Sequence, residues 1–234
     1  MRHDERRDLL VIVADLDAEN VIHGLLRSQQ EALKVSLDFN PASFANGGDI
    51  QRWNSHDPGC WRDAVALARS GLRSHRHILL MFDRHGSGVE HTLSRVQMQR
   101  QIQEDWEKNH LDLEACGVIV LDPELEAWAW SRPEKIASIT GFDANLDRLQ
   151  KELRQHKPDA WPEQEPFPRL PKEALELACR LGKRVKCNAP LFKKLAELKG
   201  IRACQDPAFQ ELRALLQGWF GKSSADDDAV ALEG

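Results

Sequence analysis

Three segments in the first half of the chain are almost continuously apolar, and a fourth alternates between apolar and polar residues. The continuous ones are DLLVIVAD (8–15), HILLMFD (77–83) and CGVIVLD (116–122). Runs of this kind, rich in branched residues, predict strands that are covered on both faces of a parallel sheet. The alternating segment, ALKVSLDFNP (32–41), ends at a proline and predicts a further strand, second along the chain.

Between these segments the apolar residues recur at helical spacing. We predict helices from Asp17 to about Gln30, over 57–72 with Asp57 as its cap, from Glu90 to about Asn109, and from Pro123 onward. The Gly- and Asn-rich stretch 40–59 predicts a long loop. Alternating strands and helices predict an α/β fold, a mostly parallel sheet with helices on both faces.

The second half of the chain has a different character. We expect the α/β domain to cover residues 1–155, and a linker to cover 156–171, which contains five prolines. A helical C-terminal subdomain over 172–221 should follow, with helices at Lys172–Leu181, at Ala189 to about Lys199, and at Asp206 to about Phe220. The acidic tail 222–234 is expected to be disordered.

Composition is typical of a globular protein with its own core. The chain is 41% hydrophobic and 29% charged, with a net charge of −5. Its five cysteines include no CxxC pair, which favours reduced thiols over a disulfide framework. Because neither a secretory signal nor a membrane-spanning run is visible, we expect a cytoplasmic protein without membrane contact.

Acidic residues follow three of the four predicted strands. Carboxylates that converge at the carboxyl ends of parallel strands provide the hard oxygen ligands that Mg²⁺ prefers. Each acid could instead be a helix cap or an ordinary loop residue. A carboxylate at Glu126 is harder to explain in that way, because its helical turn is otherwise apolar. The candidate metal ligands are Asp15, Asp17, Asp83, Glu124 and Glu126.

The order of elements, the acid after the third strand and the motif DPELEAWAW (122–130) resemble a Toprim-like bacterial family with a PEIEAW-type signature after its fourth strand. KRVKCNAPLFKKLAE (183–197) and the last predicted helix are similar to that family's C-terminal helices. Toprim domains serve topoisomerases, primases, the overcoming-lysogenisation-defect nucleases and several anti-phage systems. The resemblance therefore implies divalent-metal chemistry, with Mg²⁺ or Mn²⁺, on phosphodiesters.

The first-strand position of the Toprim metal site is altered in this chain. Toprim domains use a glutamate after the first strand, and here VADLDAE places Ala14 at that position. Asp15 or Asp17 could replace it. Because neighbouring residues of a strand point to opposite faces, that replacement is not automatic.

The third-strand position is altered as well. Of the usual Asp-x-Asp, Asp83 matches the first acid and His85 occupies the second. Neutral histidine is a poor ligand for Mg²⁺ but suits Mn²⁺ or Zn²⁺, and it could act as a general base. Glu124 and Glu126 match the family's acids. The resemblance thus implies catalytic roles for Asp83, His85 and Glu126.

A basic region lies between Arg169 and Arg202, where ten lysine or arginine residues stand against three glutamates. Such a patch on an acidic chain suits contact with a phosphate backbone. It could equally be a solvated surface or a contact to an acidic protein. The preferred nucleic-acid contacts are Lys183, Arg184, Lys186, Lys193 and Lys194. Two pairs of tryptophans could stack on bases, although packing is the simpler role: Trp53 with Trp61, and Trp128 with Trp130.

Two functions follow from these observations. The first is a nuclease of an anti-phage defence system, acting on DNA or RNA with a divalent metal. The alternative is a catalytically degenerate Toprim-fold subunit, favoured by Ala14 and His85, that binds a partner protein or nucleic acid in a multi-subunit defence complex. Other defence proteins are expected partners, and a homodimer is compatible with the sequence. A small-molecule phosphohydrolase ranks below both.

Overall fold

The computed structural model of the chain describes residues 5–53, 56–197 and 204–221. Within them the strands are β1 (Arg7–Val13), β2 (Ile50–Arg52), β3 (His75–Asp83) and β4 (Cys116–Leu121). The helices are α1 (Leu16–Ser28), α2 (Gln30–Leu33), α3 (His56–Arg62), α4 (Ala64–Gly71), α5 (Arg95–Lys108), α6 (Glu126–Ala129), α7 (Pro133–Thr140), α8 (Leu146–His156), α9 (Pro171–Gly182), α10 (Ala189–Glu197) and α11 (Pro207–Phe220).

The four strands form one parallel sheet in the order β2-β1-β3-β4. The chain runs from β1 to β2 on one side and then crosses to β3 on the other, so the order reverses between β1 and β3. Outside the carboxyl ends of the strands, such a reversal leaves the crevice in which α/β proteins bind ligands. The predicted α/β fold, with a parallel sheet and C-terminal helices, is confirmed.

Alternate residues of β1 face two separate apolar layers. Leu9, Val11 and Val13 are fully buried in the layer that contains α1 and the C-terminal helices. Leu10 and Ile12 are fully buried in the layer formed with α3, α4 and α5. A central strand covered on both faces explains why its sequence is apolar without interruption.

The prediction of a strand over 32–41 was wrong. Within it Val35 makes only an isolated antiparallel bridge, to the residue that follows α11. The segment begins inside α2, so Leu33 is buried as part of a helix. Val35 and Leu37 are buried beyond it, and the Gln30 amide holds this part by hydrogen bonds to both backbone groups of Leu37. The edge strand is instead β2, only three residues long and inside the predicted loop.

Two helices begin at other residues than predicted. Asp15, not Asp17, caps α1, and its Oδ1 accepts a hydrogen bond of 2.8 Å from the Ala18 N–H. The third predicted helix begins after Ser94 rather than at Glu90, because Ser94 and the residue three positions on form a reciprocal capping box. In both cases several polar residues compete for the cap, and the sequence alone does not rank them.

The C-terminal helices are confirmed, including Asp206 as the cap of α11. Helix α10 is described as far as Glu197, so its predicted end at Lys199 lies outside the described residues. It packs closely on α1, where a Cβ added to Gly24 would lie 2.7 Å from the Lys193 carbonyl oxygen. These helices therefore share one apolar layer with the sheet.

The proline-rich segment 156–171, expected to be a linker, is packed. Trp161 is fully buried, with its ring centroid 5.2 Å from that of Trp130. The Leu170 N–H donates to the Ala160 carbonyl at 3.2 Å, which closes the segment on itself. The expected acidic tail, 222–234, lies outside the described residues. In the described part of the chain, no helix combines the length and apolarity that crossing a membrane requires.

Candidate acidic site at the carboxyl edge of the sheet

Asp83, the last residue of β3, lies at the centre of an acidic cluster. Its backbone N–H donates to Asp57 Oδ1 at 2.8 Å, and its own Oδ1 accepts from the Leu125 N–H at 3.1 Å. These two bonds join the end of β3 to α3 on one side and to the segment after β4 on the other. Asp83 therefore lies at the carboxyl edge of the sheet, as predicted.

Glu124 and Glu126 lie in the segment that follows β4. We expected a helix from Pro123, but the helix there is the single turn of α6, which begins at Glu126. Both glutamates are buried, with exposed fractions of 6% and 4%. Glu124 Oε1 accepts a hydrogen bond of 3.0 Å from the Lys172 N–H, at the start of α9.

These carboxyls share one electrostatic environment. Burial raises the pKa of Asp83 well above its usual range, and the charges of Asp57, Glu126, Asp15 and Glu124 raise it further. Burial also raises the pKa of Glu126 to about 7, with repulsion from Glu124 as the next cause. The site therefore binds protons that isolated carboxyls would release, as expected where acids crowd together in a poorly solvated place.

One lysine faces this negative charge. Burial alone would lower the pKa of Lys172, but the carboxylates of Glu126, Glu124 and Asp83 raise it. In return, Lys172 acts to lower the pKa of Glu126 and of Asp17. The sequence placed Lys172 in the basic region, whereas the structure places it at the acidic cluster, because α9 begins there.

Asp57 is a further member of the acidic cluster, although its sequence context predicts another role. It was predicted to cap one helix over 57–72, but that stretch is two helices that meet at Asp63, and Asp57 lies inside the first of them. Its carboxylate holds the Asp83 N–H, and burial raises its pKa. The signal that could have revealed it is weak: a DP dipeptide inside a loop has many explanations.

Asp15 and Asp17 lie at the start of α1, beside the end of β1. Asp15 acts on Asp83, Asp57 and Asp17 through its charge, while one of its oxygens caps α1. Burial raises the pKa of Asp17. Ala14, which the resemblance aligns with the Toprim glutamate, is buried in the apolar layer of α3–α5.

His85 lies on the outer side of the cluster. Its Nδ1 is 3.7 Å from Glu124 Oε2, and its side chain is 69% exposed. It lines an open cleft of about 270 Å³ with Arg84, Pro123 and Glu124. A histidine between solvent and a buried carboxylate has the access that a general base requires.

The donor chemistry of the cluster fits a hard divalent cation, since it consists of carboxylates with a single lysine among them. The arrangement is less favourable. Among residues 5–53, 56–197 and 204–221, no three His, Cys, Asp or Glu side chains are arranged as a metal site. Backbone N–H groups occupy one oxygen each of Asp15, Asp83 and Glu124. Binding a cation would thus require rotation of at least some of these side chains.

Three of the five predicted nucleic-acid contacts line one surface hollow of about 500 Å³, which we call the basic hollow. Lys183, Arg184 and Lys186 lie there with Arg180, and each is exposed. Arg184 is partly engaged, because its guanidinium donates to the Ser138 carbonyl at 3.1 Å. The hollow is lined by Glu176, Cys179, Arg180, Lys183, Arg184, Val185, Lys186 and Cys187.

The other two predicted contacts, Lys193 and Lys194, belong to α10. Lys193 is half-buried and close enough to His23 on α1 for its charge to lower the pKa of that histidine, after burial as the main cause. Lys194 is exposed. The basic residues are therefore distributed over several surfaces, and the count along the sequence overstated their concentration.

The tryptophans of the DPELEAWAW motif are structural. Trp128 and Trp130 are buried, and their indole N–H groups donate to Asp206 Oδ1 at 3.0 Å and to the Pro171 carbonyl at 2.9 Å. Trp53 is partly buried, and its indole N–H donates to Asp63 Oδ2 at 3.1 Å. Packing, rather than base stacking, accounts for these three side chains.

Comparisons with models of protein families, with curated proteins and with solved structures found no match to this chain. The function of the chain is therefore inferred from the site itself.

Proposed function

We propose that this chain is a Toprim-like, divalent-metal-dependent protein that acts on nucleic acid in a bacterial anti-phage system, as a nuclease. The observation that carries the proposal is the acidic cluster at the ends of β1, β3 and β4, where burial and mutual repulsion raise the pKa values of Asp83 and Glu126. A cation would relieve that repulsion. The defence context and the cytoplasmic location rest on the sequence alone.

Asp83, Glu124 and Glu126 would hold Mg²⁺ or Mn²⁺, with Asp15 or Asp17 in support. A bound cation would supply Lewis-acid stabilisation of the charge that develops on a transferring phosphate. His85, exposed beside Glu124, would accept the proton of an attacking water.

Helix α9 supports a role in binding nucleic acid, because it joins the two surfaces. Lys172 lies in its first turn at the acidic cluster, and Lys183 follows its last turn in the basic hollow. At 1.5 Å per residue the two positions are about 16 Å apart along the helix axis. A nucleic-acid strand that crosses the acidic cluster and the basic hollow would place several phosphates over basic side chains while one phosphate lies at the acids.

The first test combines metal binding and cleavage. Calorimetric titration with Mn²⁺ and Mg²⁺ is compared for the wild type, for Asp83→Asn and Glu126→Gln, and for Glu107→Gln, the same change at an exposed site on α5. We expect binding and metal-dependent cleavage of single- or double-stranded DNA or RNA in the wild type and in Glu107→Gln, and their loss in the two cluster variants. Cleavage that persists in both cluster variants contradicts the proposal.

The alternative function is a catalytically degenerate subunit that binds nucleic acid or a protein partner. It is favoured by the backbone hydrogen bonds that occupy Asp83 and Glu124, and by the burial of Ala14. Nucleic-acid binding that needs no metal, without cleavage, would select it. Fluorescence anisotropy should then show weaker binding and a shallower salt dependence for Lys183→Ala/Lys186→Ala. The matched control is Arg100→Ala/Lys108→Ala, which removes two exposed charges from α5.

A further inference from the structure

Two cysteines share the basic hollow. Cys179 lies in the last turn of α9 and is buried, and Cys187 is half-buried in the connection 183–188 between α9 and α10. Both line the hollow, and their thiols lie close enough for each to shift the pKa of the other. Two reduced thiols thus line one surface depression, one of them on a helix and the other on irregular backbone.

The pair is electrostatically polarised. The hydrogen bond from Cys187 lowers the pKa of the Cys179 thiol, which outweighs the opposing effects of burial and of Glu176. The same contact raises the pKa of Cys187. Arg180, Lys183, Arg184 and Lys186 line the same hollow. A basic, partly open environment of this kind favours a reactive thiolate.

The remaining cysteines are buried, as Cys179 is, but their pKa values shift in the opposite direction. Cys60, Cys116 and Cys204 are buried, and burial raises the pKa of each, to about 12 for Cys116 and to about 11 for Cys204. Buried thiols of high pKa react slowly with oxidants. The chain therefore contains its own unreactive controls.

We propose that Cys179 and Cys187 form a redox-active pair that hydrogen peroxide converts to a disulfide and that a low-molecular-weight thiol restores. The Cys179 thiolate attacks one peroxide oxygen; the O–O bond breaks, Cys179 becomes a sulfenic acid, and the departing oxygen leaves as water with the proton released by Cys179. The sulfur of Cys187 then attacks that of Cys179, the S–O bond breaks, and a second water leaves with the proton of Cys187. Two thiols thus lose two electrons and two protons, and one hydrogen peroxide becomes two waters.

The surrounding structure allows this closure. A disulfide needs its sulfurs at about 2.05 Å, closer than a hydrogen bond between thiols. Cys179 is fixed because its neighbour Ala178 is fully buried in the core, so the connection 183–188 has to make the movement. Closing the bond ties this connection, which carries Arg184 and Lys186, to the end of α9. The basic hollow would then have a different shape in oxidising and reducing conditions.

The test uses the full chain, treated with hydrogen peroxide, alkylated and digested with trypsin. Cleavage after Lys172 and Arg180 places Cys179 in peptide 173–180, and cleavage after Lys186 and Lys193 places Cys187 in peptide 187–193. We expect these two peptides to appear cross-linked, about 2 Da lighter than the sum of the free peptides because two hydrogens are lost, and to separate again on reduction. The peptides of Cys60, Cys116 and Cys204 should remain alkylated as free thiols.

Cysteine variants distinguish a specific pair from general oxidation. In Cys187→Ser the cross-link should be lost, and Cys179 should proceed to sulfinic acid, whereas Cys204→Ala should leave the cross-link unchanged. A wild-type protein that keeps both thiols free, or that pairs them as often with the other three cysteines, overturns the proposal. Because the measurement requires neither metal nor nucleic acid, its outcome is independent of the nuclease proposal.

Discussion

Replacing Glu126 by glutamine should stabilise the metal-free protein above neutral pH. Glu126 is 4% exposed, and burial followed by repulsion from Glu124 raises its pKa from 4.5 to about 7. Glutamine keeps the shape of the side chain but cannot ionise. The folded protein keeps a proton on Glu126 up to about pH 7, whereas the unfolded chain releases it near pH 4.5. Raising the pH through this window therefore favours unfolding of the wild type.

The expected magnitude follows from the pKa difference. At 1.36 kcal/mol per pH unit, a folded-state pKa about 2.5 units above the unfolded one corresponds to roughly 3 kcal/mol. This is the penalty in the free energy of unfolding once Glu126 is ionised. The penalty is absent below pH 4.5, grows as the pH rises and is complete above about pH 7. Asp83, whose pKa is also raised, acts in the same direction. The informative quantity is therefore the difference in the free energy of unfolding between variant and wild type, not the pH dependence of either protein alone.

The assay is urea unfolding in EDTA at several values between about pH 5 and about pH 8. The free energy of unfolding of Glu126→Gln, relative to wild type, should increase by up to about 3 kcal/mol across this range. The control, Glu107→Gln on the exposed face of α5, should show a difference that does not change with pH. If the Glu126→Gln difference is equally flat, the acidic cluster does not have the strained electrostatics on which the metal proposal depends.

Three further substitutions test the packing that supports the site. Trp106→Ala should cost about 3–5 kcal/mol in urea unfolding, because the ring is fully buried and its N–H donates 3.0 Å to a carbonyl of α4; Trp106→Phe should cost less. Asp206→Ala should cost about 1–2 kcal/mol by the same measurement, since Asp206 caps α11 and accepts from the indole of Trp128. Asp206→Asn keeps a side-chain oxygen and should cost less; a larger loss of stability in Asp206→Asn than in Asp206→Ala would contradict this. Gly24→Ala should lower the melting temperature although alanine favours helices by about 1 kcal/mol, because its Cβ would meet the backbone of α10 at 2.7 Å. Gly218→Ala, in open space on α11, should not lower it.

The fold class could be predicted from the sequence because buried parallel strands have a distinctive pattern. The three long strands are continuous apolar runs, and each was located to within a few residues. The edge strand β2 could not be found, since only Ile50 of its three residues is buried and nothing in IQR differs from a loop. The segment 32–41 was misassigned for the opposite reason: burial against the body gives the same alternation as a strand, while the Gln30 side chain replaces the strand partner.

The site was predictable only where an acid directly follows a strand. Asp83 lies at the end of β3, and the sequence places it correctly; Glu124 and Glu126 were found because carboxylates stand out in an apolar motif. Asp57 and Lys172 come from α3 and α9, so only the folded chain brings them to the cluster. The number of basic residues between Arg169 and Arg202 could not show that they are divided among different surfaces.

The cost of keeping buried carboxylates ionised connects the acidic cluster to its proposed function. Keeping Glu126 ionised in the folded protein costs roughly 3 kcal/mol at physiological pH, and the raised pKa of Asp83 adds a cost of the same sign. A ligand that binds only the folded state, present at about 100 times its Kd, returns about 2.7 kcal/mol. A divalent cation at the cluster could therefore offset most of the cost attributed to Glu126. Acids that served only as helix caps or surface residues would not incur this cost, since solvent and backbone N–H groups would satisfy them. If Mn²⁺ stabilises the wild type at about pH 8 and fails to stabilise Glu126→Gln, the strain and the binding site are the same feature; equal stabilisation of both proteins would place the cation elsewhere.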